Sequence, residues 1–315
     1  MDQIVRASQV GRVHARRLYR AQRRVMRGVY LEGTGTPTSG SAELFHRARA
    51  ALAVCPDGSL ISGVTALAIE KVTIPDGVDP TGPINVAIPW GARRYPDRPE
   101  IAAHLERVMP ARWSPSHPVA EPAHCWARAA AAHVGVEPWI PGHETTVTVR
   151  GSFTDPAKQA FLQVIQLGDA LMRRDHAVLA YSDFADRIAG WGPRRGAPLV
   201  RELFQHVKAG TDSPAETWLR LVVVDAGFPE PAVNHRVRAE GHDRYLDLSW
   251  PDLGIALEYH GRHHFHDPSQ SYSDVYRRGG LQELGWVVLE ATHEDLLEPA
   301  RMLARLATAF RRAPR

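Results

Sequence analysis

The stretch Tyr245–His266, YLDLSWPDLGIALEYHGRHHFH, carries two acids inside apolar runs, Asp247 and Glu258, and a histidine pair, His263 and His264, shortly after the second. A hairpin centred on Asp252–Leu253 would set Ser249 opposite Ala256, Asp247 opposite Glu258 and Tyr245 opposite His260. Side chains alternate along a strand, so Glu258 and His260 share a face while Leu257 and Tyr259 take the other. Two carboxylates directly opposite would stand about 4.5–5.5 Å apart at Cβ and repel. A divalent cation between them turns that repulsion into coordination. Hard oxygen donors select Mg²⁺, with Mn²⁺ as a substitute. The argument depends on register, because a slip of one residue moves one acid to the other face.

Each residue also has a plainer reading. Asp247 and Glu258 can be partly buried carboxylates satisfied by backbone donors or arginine. Glu216 sits in Ser213-Pro-Ala-Glu216, the spacing of a helix capping box; it could also reach a metal through water or position His260. Histidine titrates near neutrality, so His260 can orient or deprotonate a water, as can His264. His260, His263, His264, His266 and Asp267 could hold zinc instead, but their irregular spacing and the lack of a nearby cysteine weigh against it. Asp274 and Arg277, at i and i+3 on an expected helix, form either a surface ion pair or a phosphate contact. Trp250, Trp286 and Tyr245 read as core.

The elements that must position these residues follow from pattern. SPAETWLRLVVVDAG reads as a helix with Ser213 at the N-cap and Pro214 at the first position, ending at Gly227. Residues 232–239 alternate as a strand, RYLDLSW and GIALEYH give two more, a helix fits 271–284, WVVLE is a strand, and a helix runs from about 293 to 311. The order α-β-β-β-α-β-α predicts a mixed sheet flanked by helices. Upstream, helices are expected over 5–22, 42–54, 62–72, 122–133, 156–173, 181–189 and 197–209, and strands over RRVMRGVYLEG and INVAIP. Residues 90–121, rich in Pro and Arg, give no clear pattern. The fold class is α/β, with a mixed-sheet C-terminal domain preceded by a mainly helical α+β region. Three parts are expected: 1–75, a basic region; 76–209, a middle region; and 210–315, the site-bearing domain.

The C-terminal motifs resemble the PD-(D/E)xK nuclease superfamily, in the branch similar to very-short-patch-repair endonucleases. The residues are S213-P-A-E216, G227-F-P229, D247-L-S-W250-P251, E258-Y-H-G261-R-H-H264, D274-V-Y-R277 and G285-W286, six features in order. The resemblance implies a restriction-endonuclease-like fold, metal ligation by Asp247, Glu258 and the backbone carbonyl of Tyr259, and catalytic roles for Glu216, His260 and His264. It also implies a scissile-phosphate contact for Arg277. His260 stands where the superfamily usually has Lys, and no lysine follows Lys208. The N-terminal helix followed by RRVMRGVY resembles the back half of the winged helix of abortive-infection antitoxins.

Charge distribution fits a nucleic-acid partner. Residues 1–30 hold eight arginines, among them Arg16, Arg17, Arg23, Arg24 and Arg27, against the single acid Asp2; residues 211–315 hold twelve arginines against sixteen acids. A basic front suggests a grip on phosphate, most simply double-stranded DNA, and an acidic back suggests a cation site. A solvated arginine face is the plainer alternative. No apolar run is long enough to span a membrane, the N-terminus does not resemble a signal peptide, and Cys55 and Cys125 lie far apart, so a cytoplasmic protein with two core cysteines is expected. The expected function is a metal-dependent endonuclease. The alternative is a DNA-binding regulator or antitoxin-like protein whose nuclease-like domain does not cut; a third reading gives residues 70–205 a protein partner.

Overall fold

A computed structural model describes residues 3–21, 24–32, 40–92, 98–133, 152–192, 194, 196–239, 241–261 and 279–313. The chain divides into two compact units, Met1–Pro141 with Phe184–Val200, and Gly142–Asp183 with Arg201–Arg315. It is a mixed α/β protein with three small sheets among the described residues.

The first unit opens with strand β1 (Gln3–Arg6) and helix α1 (Ala7–Arg20), where a helix over 5–22 was expected. Gly11 (φ 76°, ψ 162°) breaks α1 into two helical pieces, because only glycine takes that backbone conformation without a Cβ clash. β2 (Arg24–Met26) and β3 (Val29–Glu32) then form a hairpin, and β1 pairs antiparallel with β3 to give the order β1-β3-β2. Val5, Met26, Val29 and Leu31 are buried, while Arg16, Arg17, Arg24 and Arg27 stay exposed. Next come α2 (Gly40–Val54), β4 (Leu60–Ile61), α3 (Gly63–Ile69), β5 (Ile84–Pro89), β6 (Ile101–Glu106) and α4 (Pro122–His133). β6 lies inside the stretch whose pattern was unclear, and pairs parallel with β5. Cys55 and Cys125 are buried, and burial pushes the Cys55 thiol up to about 11.

The remaining helices are α5 (Pro156–Ala170), α6 (Tyr181–Ala189), α7 (Ala197–Phe204) and α8 (Pro214–Asp225). Strands β7 (Ala232–Ala239), β8 (His242–Trp250), β9 (Ile255–Tyr259) and β10 (Val287–Ala291) form a sheet in the order β10-β9-β8-β7. β7–β8 and β8–β9 are antiparallel, and β10 is parallel to β9. Residues 279–283 are helical; the rest of the helix expected over 271–284 lies outside the described residues. The expected C-terminal helix is two, α9 (His293–Leu297) and α10 (Ala300–Arg312), with Pro299 between them.

Central position explains the apolar run of β9. Ile255, Ala256 and Leu257 are fully buried, as are Leu246 and Leu248 on β8. The turn between β8 and β9 is a single 3₁₀ turn, Pro251–Leu253, closed by Gly254 in the left-handed conformation (φ 60°). Trp250 anchors the turn: its indole N–H donates to the Pro229 carbonyl (2.8 Å) and its ring meets Phe310 at 5.0 Å. Trp250 is core as expected; Trp286 is partly buried, and Tyr245 is half-buried with the Arg174 guanidinium 4.0 Å from its ring centre.

Candidate active site

The hairpin register is the expected one. Leu248 pairs with Leu257, Ser249 with Ala256 and Trp250 with Ile255, so the next step sets Asp247 opposite Glu258. At that step side chains replace the ladder. The Asp247 N–H donates to Glu258 Oε1 (3.2 Å), and the Tyr259 N–H donates to Asp247 Oδ2 (2.8 Å). Each carboxylate reaches across to the other strand's backbone, so both are held over the seam between β8 and β9.

The row extends across the whole sheet. The β7–β8 register, with Val233 beside Leu248 and His235 beside Leu246, sets Asn234 opposite Asp247. On the other side Glu258 pairs with Glu290 in the parallel ladder. One residue from each strand therefore falls in line: Asn234, Asp247, Glu258, Glu290. Asn234 has φ 47°, which turns its amide out of the regular pleat; its Nδ2 donates to the Gly210 carbonyl (2.6 Å) and to Glu216 Oε2 (3.3 Å).

Helix α8 brings the third acid. Ser213 caps it, with Oγ accepting from the Glu216 N–H (3.2 Å) and donating to Glu216 Oε1 (2.8 Å), while Oε2 accepts from the Asp212 N–H (2.8 Å). The capping role of Glu216 is therefore present, and the same side chain feels the Asp247 charge. Burial, and then the Asp247 charge, push its carboxyl from 4.5 up to about 7. One turn further on, Arg220 fixes the helix. It is 1% exposed, and its guanidinium donates to Asp169 (3.2 Å), Glu230 (2.9 Å) and the His206 carbonyl (2.7 Å). The Thr217 hydroxyl donates to the same Asp169 oxygen (2.9 Å). This buried network places Glu216 over the sheet with little freedom to withdraw.

His260 sits beyond the acids. Its N–H donates to the Ala291 carbonyl (2.8 Å), extending the β9–β10 ladder, and its Nε2 lies 3.5 Å from Glu290 Oε1. A bond from Nε2–H to Glu290 leaves Nδ1 as the basic nitrogen. His263, His264, His266, Asp267, Asp274, Arg277 and Arg23 lie outside the described residues. The carboxylates come from separate elements, and Glu216 is raised by burial first and by the Asp247 charge second.

Sequence reasoning passed over Glu290 and Asn234. Glu290 carried the same signal as Glu258, an acid ending an apolar strand. Asn234 carried none, because a single positive φ inside a strand leaves no mark on the pattern of residues.

No family model matches the chain, and no solved structure matches it. Two proteins of Mycobacterium tuberculosis described as uncharacterized, one from strain CDC 1551 / Oshkosh and one from strain ATCC 25618 / H37Rv, are each 32% identical over 136 residues, 42% of this chain and 50% of theirs. The chain thus spans about half the length of the relatives it matches. No helix among the described residues is long and apolar enough to cross a membrane.

Proposed function

We propose that the protein is a metal-dependent endonuclease that hydrolyses phosphodiester bonds in DNA. The observation that carries this reading is the pair Asp247 and Glu258, each bonded to the other strand's backbone across the β8–β9 seam, with the Asp247 charge felt at Glu216. Like charges brought together in a half-buried place destabilise the fold unless a cation joins them.

Mg²⁺ or Mn²⁺, when bound, polarises a phosphate oxygen and acidifies a water. Asp247 and Glu258 would hold the ion, with the Tyr259 carbonyl as a further donor. Glu216 would adjust the charge of the pocket, since its proton leaves near neutral pH. His260, steered by Glu290, would take a proton from the attacking water at Nδ1; His264 is the other candidate base. The exposed Arg16, Arg17, Arg24 and Arg27 on the strand–helix–hairpin of the first unit would supply sequence-independent grip, and Arg277 a phosphate contact. That order of elements also supports the likeness to the back half of a winged helix.

The test is nicking of supercoiled plasmid by the purified chain with Mg²⁺ or Mn²⁺. Open circles that vanish on chelation, and vanish with Asp247→Asn, are expected. Plasmid left intact by the wild type with either ion would refute the reading.

One observation favours a second reading, a DNA-binding regulator that does not cut. The position that usually holds lysine has His260, already engaged with Glu290. That reading predicts duplex binding without a divalent ion and unchanged in Asp247→Asn.

A further inference from the structure

The first unit holds a second group of metal-ligand side chains that the proposed nuclease does not use. His104 and Glu106 stand at i and i+2 on β6, on one face of the strand. His124 and Arg128 stand at i and i+4 on α4, on one face of the helix. The faces meet. His124 Nε2 lies 3.3 Å from Glu106 Oε1 and His104 Nε2 lies 3.8 Å from it, and all three ligand atoms fall within 4.8 Å of one another.

These spacings can be compared with an ion's requirement. A tetrahedral centre with bonds of about 2.0–2.1 Å keeps its ligand atoms roughly 3.3–3.4 Å apart. The His124–Glu106 edge has that length, and the His104–Glu106 edge needs only a small closure. Glu106 is 1% exposed and His124 6% exposed. Neither His104 Nε2 nor His124 Nε2 has a hydrogen-bond partner, although both are buried and both point at the same carboxylate oxygen. Buried polar atoms almost always find a partner, so two adjacent exceptions need an explanation.

The competing explanation is an ion-pair network. Arg128 donates to Glu106 Oε1 through both Nε (2.8 Å) and Nη2, and Arg194 Nη1 donates to Oε2 (2.8 Å). That accounts for Glu106 but leaves both imidazole nitrogens unexplained. The guanidiniums also have another partner: the Trp191 ring lies 5.7 Å from Arg128 and 4.8 Å from Arg194. Arg128 can therefore leave Oε1 and rest on the indole face, while Arg194 keeps the carboxylate oriented through Oε2.

We propose that His104, Glu106 and His124 form a binding site for a borderline divalent metal of the Zn²⁺ type, with Arg194 as the positioning residue and Arg128 as a competitor for Oε1. Two imidazoles and one carboxylate favour Zn²⁺, Co²⁺ or Ni²⁺ over the oxygen-seeking Mg²⁺. The site is independent of the proposed nuclease centre and stands or falls separately.

The test is titration of the chelator-stripped full chain with Co²⁺ and Zn²⁺, in the wild type and in the Asp247→Asn background. One equivalent per chain with the visible absorption of a low-coordinate Co²⁺ centre is expected in both, and X-ray absorption of the Asp247→Asn chain loaded with one equivalent of Zn²⁺ should count two imidazoles. His104→Gln and His124→Gln should each weaken binding at least tenfold, and Arg128→Met should tighten it. Lack of stoichiometric binding by the wild type, binding lost in Asp247→Asn, or an imidazole count other than two would overturn the proposal. The ligand count needs no substitution at the site itself, so it decides even where His104→Gln or His124→Gln does not fold.

Discussion

Glu106 in the first unit and Glu216, Asp247 and Glu258 in the second are carboxylates buried or half-buried in the fold, and different donors meet them. Glu106 is enclosed by cations: Arg128 and Arg194 hold its two oxygens, and burial together with those guanidiniums keeps His104 and His124 neutral, lowering His124 to about 3. Glu216, Asp247 and Glu258 accept from the N–H groups of Asp212, Asp247 and Tyr259, the Ser213 hydroxyl and the Asn234 amide. The result is a carboxyl at about pH 7 in the second unit, with burial the larger cause and Asp247 the next. Neutral donors of this kind orient an acid without cancelling its charge. At Glu106 a cation must first displace Arg128 from Oε1.

The contrast can be broken most directly at the sheet. Asp247→Asn preserves shape and removes the charge; plasmid nicking should fall well beyond the ~10–100-fold that loss of an outer partner costs a metal site, while melting in chelator should rise, because a like charge is gone. The opposite pattern belongs to Glu106. Glu106→Gln strands two guanidiniums, one of them buried, and should cost about 3–5 kcal/mol in urea unfolding, with the nicking rate per folded molecule unchanged.

A smaller effect separates His260 from the acids. If it is the base, His260→Gln should slow nicking by about a hundredfold or more and remove the low-pH limb of the rate profile. Glu290→Gln should slow it less and shift that limb. Equal loss at every pH would point to a purely structural pair.

The pH dependence of stability sharpens the comparison further. Below about 4.5 Glu216 is protonated in both folded and unfolded chains; between 4.5 and about 7 the unfolded chain ionises first, so stability falls as pH rises, and above about 7 the loss is complete. Calorimetry of the chelated protein should show this decline, and Glu216→Gln should flatten it. The rise in melting temperature on adding Mn²⁺ should accordingly be larger at pH 8 than at pH 5.5. The smallest effect concerns the first unit: Arg16→Gln with Arg17→Gln should lower the salt slope of duplex binding by about 0.9 for each phosphate contact removed.

Much of the sheet was legible because its signals are local. The Pro251-Asp252-Leu253-Gly254 turn determines the hairpin register, and register with alternation determines that Asp247 faces Glu258. Ser213, Pro214 and Glu216 mark the start of α8 for the same reason. What was not legible depends on distant partners. β6 reads as nothing because its exposure does not alternate: Leu105 is 40% exposed and Ala103 is half-buried. The group around Glu106 draws on residues 104, 124, 128 and 194, which no spacing rule connects. Asn234 needed a backbone twist, and Glu290 needed the parallel pairing of β10 with β9, which follows only once the chain has crossed over.

The central claim is that one cation is shared by acids on neighbouring strands. Anomalous diffraction from a crystal soaked in Mn²⁺ tests it without an assay. A peak bonded to carboxylate oxygens of both Asp247 and Glu258 is the predicted result. Strong Mn²⁺ peaks elsewhere in the molecule with none between those two side chains would contradict it.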